Sequence, residues 1–120
     1  MAKPIRVVSL TIPINTALSD AIKSDGYYPV GVVCPAAWTA ADISFEASND
    51  GGVTYQKIVS QSGSLVKITN VPTAASEYSV IASAQIFVAE WIRVASTNTA
   101  SEADANQAAA RTVKLVMVPV

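Results

Sequence analysis

The stretch Ser48-Asn49-Asp50-Gly51-Gly52-Val53-Thr54-Tyr55 decides the fold of this chain. It separates two segments, Ile43–Ala47 and Val53–Val59, in which apolar and polar residues alternate. Such alternation is typical of β-strands with one buried face. A connection rich in Asn, Asp and Gly is typical of a hairpin turn, because these residues tolerate positive φ. The stretch therefore predicts a β-hairpin.

Short segments with strand character recur on both sides of this hairpin. They are Arg6–Ile14, Tyr27–Cys34, Leu65–Thr69, Tyr78–Ala82 with Ile86–Val88, Trp91–Ser96 and Arg111–Val118. Pro29 lacks a ladder donor, so its strand is expected to begin at or after Pro29 or to lie at a sheet edge. About seven or eight short strands separated by turns predict an all-β fold, an antiparallel two-sheet β-sandwich or jelly roll.

The chain is predicted to form one domain over residues 1–120, a length that allows a real hydrophobic core. Residues 1–6 are expected to form an N-terminal arm. Residues 97–110 are polar and alanine-rich and are expected to form a long surface loop, with a helical turn at Asn106–Ala110. The N-terminus lacks a signal-peptide profile, and no apolar run approaches the ~18 residues of a membrane span. We therefore expect synthesis in a cytoplasm and no membrane partner.

The composition indicates a surface that is partly covered in use. Hydrophobic residues make up 51% of the chain and charged residues only 14%, against roughly 25% charged residues in soluble domains. The covering partner would be further copies of the chain or a larger assembly; the alternative is an exterior made of Ser, Thr and Ala. The 8 basic and 9 acidic residues are dispersed, so no basic stripe predicts a nucleic-acid partner.

Few residues capable of catalysis are present. The chain has no histidine and one cysteine, Cys34, which excludes Ser-His-Asp and Cys-His nucleophilic catalysis. Cys34 lies in an apolar run and is interpreted as a small buried hydrophobe. No glycine-rich phosphate loop occurs, and the acids fall mostly in predicted turns or on solvent-facing strand positions. We therefore predict a protein that is not an enzyme and uses no cofactor.

Two further site hypotheses come from single residue groups. Asn49 and Asp50 carry hard oxygen atoms that calcium prefers, although stabilisation of the turn is the simpler role for them. Trp38, or Tyr27 with Tyr28, could supply a flat platform for a sugar ring. The alternative for Trp38 is that it caps one end of the core or packs in a subunit interface.

The hairpin resembles an Asp-box, the S-x-D-x-G-x-T-[W/F/Y] turn found in sialidases and many other β-proteins. Ser48, Asp50, Gly52, Thr54 and Tyr55 occupy its five positions. The resemblance implies a folding element in which Asp50 and Thr54 bond across the turn and Tyr55 packs beneath it. Because the chain carries one copy, it implies neither a propeller nor a sialidase site.

A broader resemblance covers most of the chain from Leu18 onward. It is carried by the segments Tyr28–Val32, Pro35–Phe45, Ala47–Gly52 and Trp91–Ser96 with Gln107–Thr112. In these the chain is similar to small β-sandwich proteins of tailed-bacteriophage virions. The resemblance implies a structural protein made in the host bacterial cytoplasm and located in the virion. The first expectation is a capsid decoration or cement protein that binds the major capsid protein on the outer shell as a homo-oligomer, a dimer or trimer.

Alternatives to the capsid role are a tail or head-fibre base component and a carbohydrate-binding module that uses Trp38, Tyr27 or Tyr28. For the contacts with neighbouring subunits, the candidates lie in the arm, in the corner between predicted strands and in the long loop. They are Lys3, Pro4, Trp38, Glu102 and Asp104.

Overall fold

The computed structural model describes residues 4–69, 78–82 and 85–120. Within these ranges the regular structure is β-strand: β1 (Arg6–Ile12), β2 (Ile22–Lys23), β3 (Tyr27–Val33), β4 (Asp42–Ser48), β5 (Gln56–Lys57), β6 (Lys67–Ile68), β7 (Tyr78–Val80), β8 (Trp91–Thr97) and β9 (Arg111–Pro119). A search of the same ranges for a helix of membrane-spanning length and apolarity found none.

The strands form two antiparallel sheets that pack against each other. Sheet A has the order β1-β9-β3-β7, and sheet B has the order β2-β8-β4-β5, with β6 also paired to β4. The predicted all-β, two-sheet β-sandwich is therefore confirmed. Nine strands are present in the described ranges rather than seven or eight. The strand that was not predicted is β2, whose two residues are too few to leave a periodic pattern in the sequence.

The predicted hairpin is present, but its second strand is shorter than expected. In it β4 pairs antiparallel with β5, Glu46 lying opposite Lys57 and Ala47 opposite Gln56. The residues before Gln56 belong to the turn, because their N–H groups bond to side chains of the turn instead of the ladder. β6 then pairs with the earlier part of the same strand, β4.

The core lies between the sheets and is built from alternate residues of the long strands. In β4, Ile43 and Phe45 are fully buried members of the core cluster. The other members of the cluster are each at most 9% exposed: Leu10, Ile12, Val32, Cys34, Trp38, Ala47, Val66, Ile68, Ile81, Ala89, Ile92, Val94, Val113, Leu115 and Met117. Cys34 is buried as predicted, and desolvation raises the pKa of its thiol to about 12.

The prediction for Pro29 is wrong. β3 runs through Pro29 and is an interior strand of sheet A, between β9 and β7. Its register against β9 shifts between Pro29 and Gly31. An irregularity at this point lets an interior strand accommodate a residue that has no N–H donor.

Two local predictions near the end of the chain also differ from the structure. Ile86–Val88 forms no strand; instead the ring of Phe87 packs on Phe45, with 5.5 Å between centroids. The helical turn at Asn106–Ala110 is absent. Gln107 is fully buried, and its side-chain amide donates to the Thr39 carbonyl over 3.0 Å and accepts from the Thr39 N–H over 2.9 Å. These bonds fasten the segment to Thr39 instead.

Candidate functional site

The Ser48–Tyr55 turn is organised around the carboxylate of Asp50. The Ser48 hydroxyl donates to Asp50 Oδ1 over 2.6 Å, and the Thr54 N–H donates to the same atom over 3.0 Å. The Gly52 N–H donates to Ser48 Oγ over 3.0 Å. The expected bond between Asp50 and Thr54 across the turn is confirmed. The polar groups of the turn therefore satisfy one another.

These bonds stabilise the ionised form of Asp50. The Ser48 hydroxyl, followed by the Thr54 N–H, lowers the pKa of the Asp50 carboxyl from 3.8 to about 2. An acid with so low a pKa holds no proton near neutral pH, so it cannot act as a general acid there. Asp50 is chemically suited to locking the turn.

A second pair of bonds fastens the turn to the start of β8. The Gly51 N–H donates to Glu90 Oε1 over 3.0 Å, and the Glu90 N–H donates to Asn49 Oδ1 over 2.9 Å. Glu90 was not predicted to take part in the turn, because it lies 39 residues beyond Gly51 and carries no local turn signal. The one signal in the sequence is that Glu90 directly precedes the predicted strand at Trp91, whose first residue pairs with Ser48 at the start of the turn.

Tyr55 and Arg93 connect the turn to the outer surface of sheet B. The Arg93 guanidinium lies 4.1 Å from the centroid of the Tyr55 ring. Its Nε and Nη2 donate to Glu46 Oε1 over 2.9 and 2.6 Å. Gly52 has φ 86°, and a Cβ there would lie 3.5 Å from the Tyr55 hydroxyl. The Tyr55 ring lies beside Gly52 of the turn, in agreement with the packing beneath the turn that the Asp-box resemblance implies, and it also contacts Arg93 of sheet B.

The calcium hypothesis gains no support from this geometry. Asn49 Oδ1 and Asp50 Oδ1 both already accept hydrogen bonds from backbone N–H groups. Over the described ranges there is no group of three or more His, Cys, Asp or Glu side chains that could hold a metal ion. The two residues serve the turn instead.

Trp38 does not form an exposed platform. Its side chain belongs to the core with 3% of its surface exposed, and Nε1 donates to the Ala41 carbonyl over 3.1 Å. A buried ring cannot stack on a sugar or contact a neighbouring subunit, so the predicted sugar platform and the predicted subunit contact at Trp38 are both wrong, and the residue belongs to the core. Tyr27 and Tyr28 are half-buried, and the Arg6 guanidinium lies 5.7 Å from the centroid of the Tyr27 ring.

The two acids predicted to contact other subunits bind lysines of their own chain. Glu102 Oε2 lies 3.0 Å from Lys67 Nζ, and Asp104 Oδ1 lies 3.4 Å from Lys57 Nζ. These ion pairs hold the 97–110 loop against the outer face of sheet B. Glu102 is the main cause of a raised pKa of Lys67. Their charges are therefore partly engaged inside the chain, although both side chains remain about half exposed.

The outer face of sheet B carries buried polar groups along β4. Ser44 Oγ lies 2.6 Å from Thr97 Oγ1. Asp42 accepts a bond from the Thr99 hydroxyl at Oδ1, and its Oδ2 lies 3.4 Å from Lys67 Nζ, within ion-pair distance but without hydrogen-bond geometry. The sequence placed the alternate β4 residues on the solvent side, and the loop that covers them explains their burial.

Sheet A presents a different outer face. Its pairing aligns Val7, Val116, Gly31 and Val80 in one row across all four strands. Val7 is 57% exposed and Val80 is 65% exposed, and Tyr78 beside them is also exposed. The row through Val7 is apolar, while the neighbouring rows of the same face carry Ser9 with Lys114 and Thr11 with Thr112. Of the predicted arm, Pro4 and Ile5 are exposed, and Lys3 lies outside the described residues.

No family, curated protein or solved structure matches this chain. Any functional conclusion therefore rests on its residues and their geometry.

Proposed function

We propose that this chain is a non-enzymatic structural protein of a tailed-phage virion, a capsid decoration or cement protein that binds the outer shell as a homo-oligomer. The observation that carries the proposal is the apolar outer face of sheet A. A soluble monomer seldom leaves contiguous apolar surface of this kind uncovered, and such patches usually mark sites of protein association. The sequence resemblance to phage β-sandwich proteins supplies the kind of assembly.

The charge distribution supports the same role. The basic residues of sheet B are engaged within the chain, Lys57, Lys67 and Arg93 in ion pairs. In sheet A, Arg6 of β1 donates to backbone carbonyls, and Lys114 of β9 is the one charged side chain on the outer face of the described strands. Binding through sheet A would therefore gain mainly from apolar burial. That burial stabilises association by about 25 cal/mol per Å² before the entropy of association is subtracted.

The location of the protein in the source virion tests the proposal. Cryo-electron microscopy of purified particles should show it in regular positions on the outer shell, with sheet A turned toward the major capsid protein. Density only on the tail or at a fibre base would replace the capsid role with the tail alternative. Absence of the protein from purified particles would contradict a virion role altogether.

A binding measurement supplies the residue-level test. Purified protein should co-sediment with particles that lack it, and Val80→Lys should weaken this binding because it places a charge on the apolar face. Val53→Lys is the matched control, since Val53 is 81% exposed in the hairpin turn. Equal binding by both variants would show that the outer face of sheet A is not the contact surface.

A further inference from the structure

Strand β1 is an edge strand, and its backbone groups alternate between its neighbour and the open side. Among the described strands, β1 pairs with β9 alone. On the open side, the Thr11 N–H donates to Asp20 Oδ1 over 2.8 Å, and the Thr11 carbonyl accepts from the Asp20 N–H over 3.3 Å. Because backbone direction alternates along a strand, the N–H and C=O groups of Val7 and Ser9 also point to the open side.

Asp20 caps one end of this edge and leaves the other end open. Within the described part of the chain, no backbone bond reaches the open side of Val7 or Ser9. The side chains on the outer face here are those of Ile5, Val7 and Ser9, and Ile5 is 64% exposed. None of them is charged. Edge strands that stay single are usually blocked by charges, prolines or bulges. Ile5–Ser9 has no proline, and its one charge, Arg6, is turned back into the chain, where it donates to the Lys23 and Ser24 carbonyls over 3.2 Å each.

We propose that the Ile5–Ser9 edge is the site at which two copies of this chain pair. The two β1 strands run antiparallel about a two-fold axis at Val7, so that Val7 lies opposite its own copy. Ile5 of each copy then lies opposite Ser9 of the other. The N–H and C=O groups of Val7 and Ser9 that face the open side form hydrogen bonds between the two copies. The ladder stops at Thr11 of each copy, because Asp20 already occupies both backbone groups of Thr11.

A second copy fits this edge better than an unrelated strand because the edge is complementary to itself. Asp20 marks the Thr11 end. Lys23 marks the other end, where its carbonyl accepts a bond from Arg6 Nη1 over 3.2 Å. Antiparallel pairing brings the acidic end of each edge alongside the basic end of the other, which favours this orientation. Lys23 is exposed and has no ion pair with another described residue.

Pairing at this edge rests on the proposed function for its biological role, as the subunit contact of the homo-oligomer, but the pairing itself does not require a virion. The two copies of sheet A would join into one eight-stranded sheet, because each contributes four strands. The apolar outer faces would become continuous across Val7. The inference names the subunit contact of the proposed homo-oligomer, and it can be tested on the purified protein without any virion.

Sedimentation velocity of the full chain over micromolar to submillimolar concentrations provides the test. Wild type should form a dimer, and Val7→Lys should raise the dissociation constant roughly tenfold or more, since two lysines would lie directly opposite. Val53→Lys makes the same charge change at an exposed turn and should dimerise like wild type. A mixture of Val7→Lys and Val7→Glu should recover the dimer, because opposite charges then face each other. Circular dichroism checks that each variant is folded.

A wild type that stays monomeric, a trimer, or a Val7→Lys variant that dimerises normally would overturn the inference. So would Val7→Lys and Val7→Glu failing to associate when mixed. Amide exchange gives a second readout, in which Val7 and Ser9 should become protected as concentration rises. A dimer that is absent from virions would contradict only the proposed function. A virion protein without this pairing would contradict only the inference.

Discussion

The Ser48–Tyr55 hairpin and the outer face of sheet A differ in how far their side chains are engaged by the rest of the chain. In the hairpin, Asp50 accepts bonds from Ser48 and Thr54, and the turn is fastened to Glu90. On sheet A, the exposed row that includes Val7 and Val80 has no covering loop among the described residues. The polar groups of the hairpin motif are bonded within the chain, while the apolar side chains Val7 and Val80 are exposed to solvent.

This contrast separates folding from function. A carboxylate on an exposed turn invites a catalytic or metal-binding interpretation, but Asp50 is ionised and already bonded to its neighbours. An apolar strand face carries no motif, yet burying it against a partner would stabilise the complex. We therefore assign the hairpin to stability and sheet A to binding. Substitutions in the two regions test this assignment.

The largest effect is expected where the hairpin meets sheet B. Arg93→Met should reduce the free energy of unfolding by about 3 kcal/mol, because it leaves the nearly buried carboxylate of Glu46 without its partner. Urea denaturation measures this loss. The double variant Arg93→Met with Glu46→Gln should recover part of it, since no charge then remains buried. A double variant less stable than Arg93→Met would contradict the ion-pair explanation.

The next largest effect is expected at Gly31 in sheet A, where an added side-chain atom would meet the neighbouring strand β7. A Cβ on Gly31 would overlap the Tyr78 ring and lie 2.7 Å from the Ser79 carbonyl oxygen. Gly31→Ala should therefore lower the free energy of unfolding by roughly 1–3 kcal/mol. The same denaturation assay measures it. Gly63→Ala, where the added atom meets nothing within 4 Å but φ is 87°, separates backbone strain from overlap.

A smaller effect on the hairpin depends on pH. Asp50 has a lower pKa folded than unfolded, so its stabilisation is fully present above pH 3.8 and is lost as the pH falls toward about 2. Asp50→Asn should lower the melting temperature by several degrees near neutral pH, and the difference from wild type should shrink between pH 4 and 2. Thermal melts across that range check it. A constant difference would show that the charge of Asp50 is not the stabilising feature.

The smallest effect is expected on the apolar face. Val80→Thr keeps the β-branched shape at an exposed edge position, so the free energy of unfolding should change by less than about 0.5 kcal/mol. The measurement is again urea denaturation, with Val94→Thr as the buried comparison on sheet B. If Val80→Thr destabilised the chain as strongly as Val94→Thr, the outer face of sheet A would be part of the fold and not free for binding.

Local patterns in the sequence predicted the architecture well. Alternation gave β4 its correct inward face, Ile43, Phe45 and Ala47, and the residues of the turn marked the hairpin. Pro29 was misplaced because an irregularity in the pairing with β9 absorbs its missing donor, which depends on tertiary register. β5 and β6 were predicted but are shorter than expected, and β2 was missed because its two residues are defined only by their pairing with β8.

The site was less predictable because its decisive contacts are non-local. Glu90 reaches the turn from the start of β8, and Gln107 is buried by bonds to Thr39, 68 residues away. Trp38 in an alanine-rich corner gave no sign of whether its ring pointed inward or outward. Glu102 and Asp104 were interpreted as free charges, because the lysines that bind them come from other elements. Only the folded chain brings these partners together.

The central claim, that the hairpin folds the protein and sheet A binds its partner, is tested most directly by one paired co-sedimentation measurement. Asp50→Ala and Val80→Lys are each mixed, below their melting temperatures, with virions that lack the protein. We predict that Asp50→Ala binds like wild type despite its lower stability, and that Val80→Lys is stable but binds weakly. A folded Asp50→Ala that fails to bind, beside a Val80→Lys that binds normally, would contradict the account.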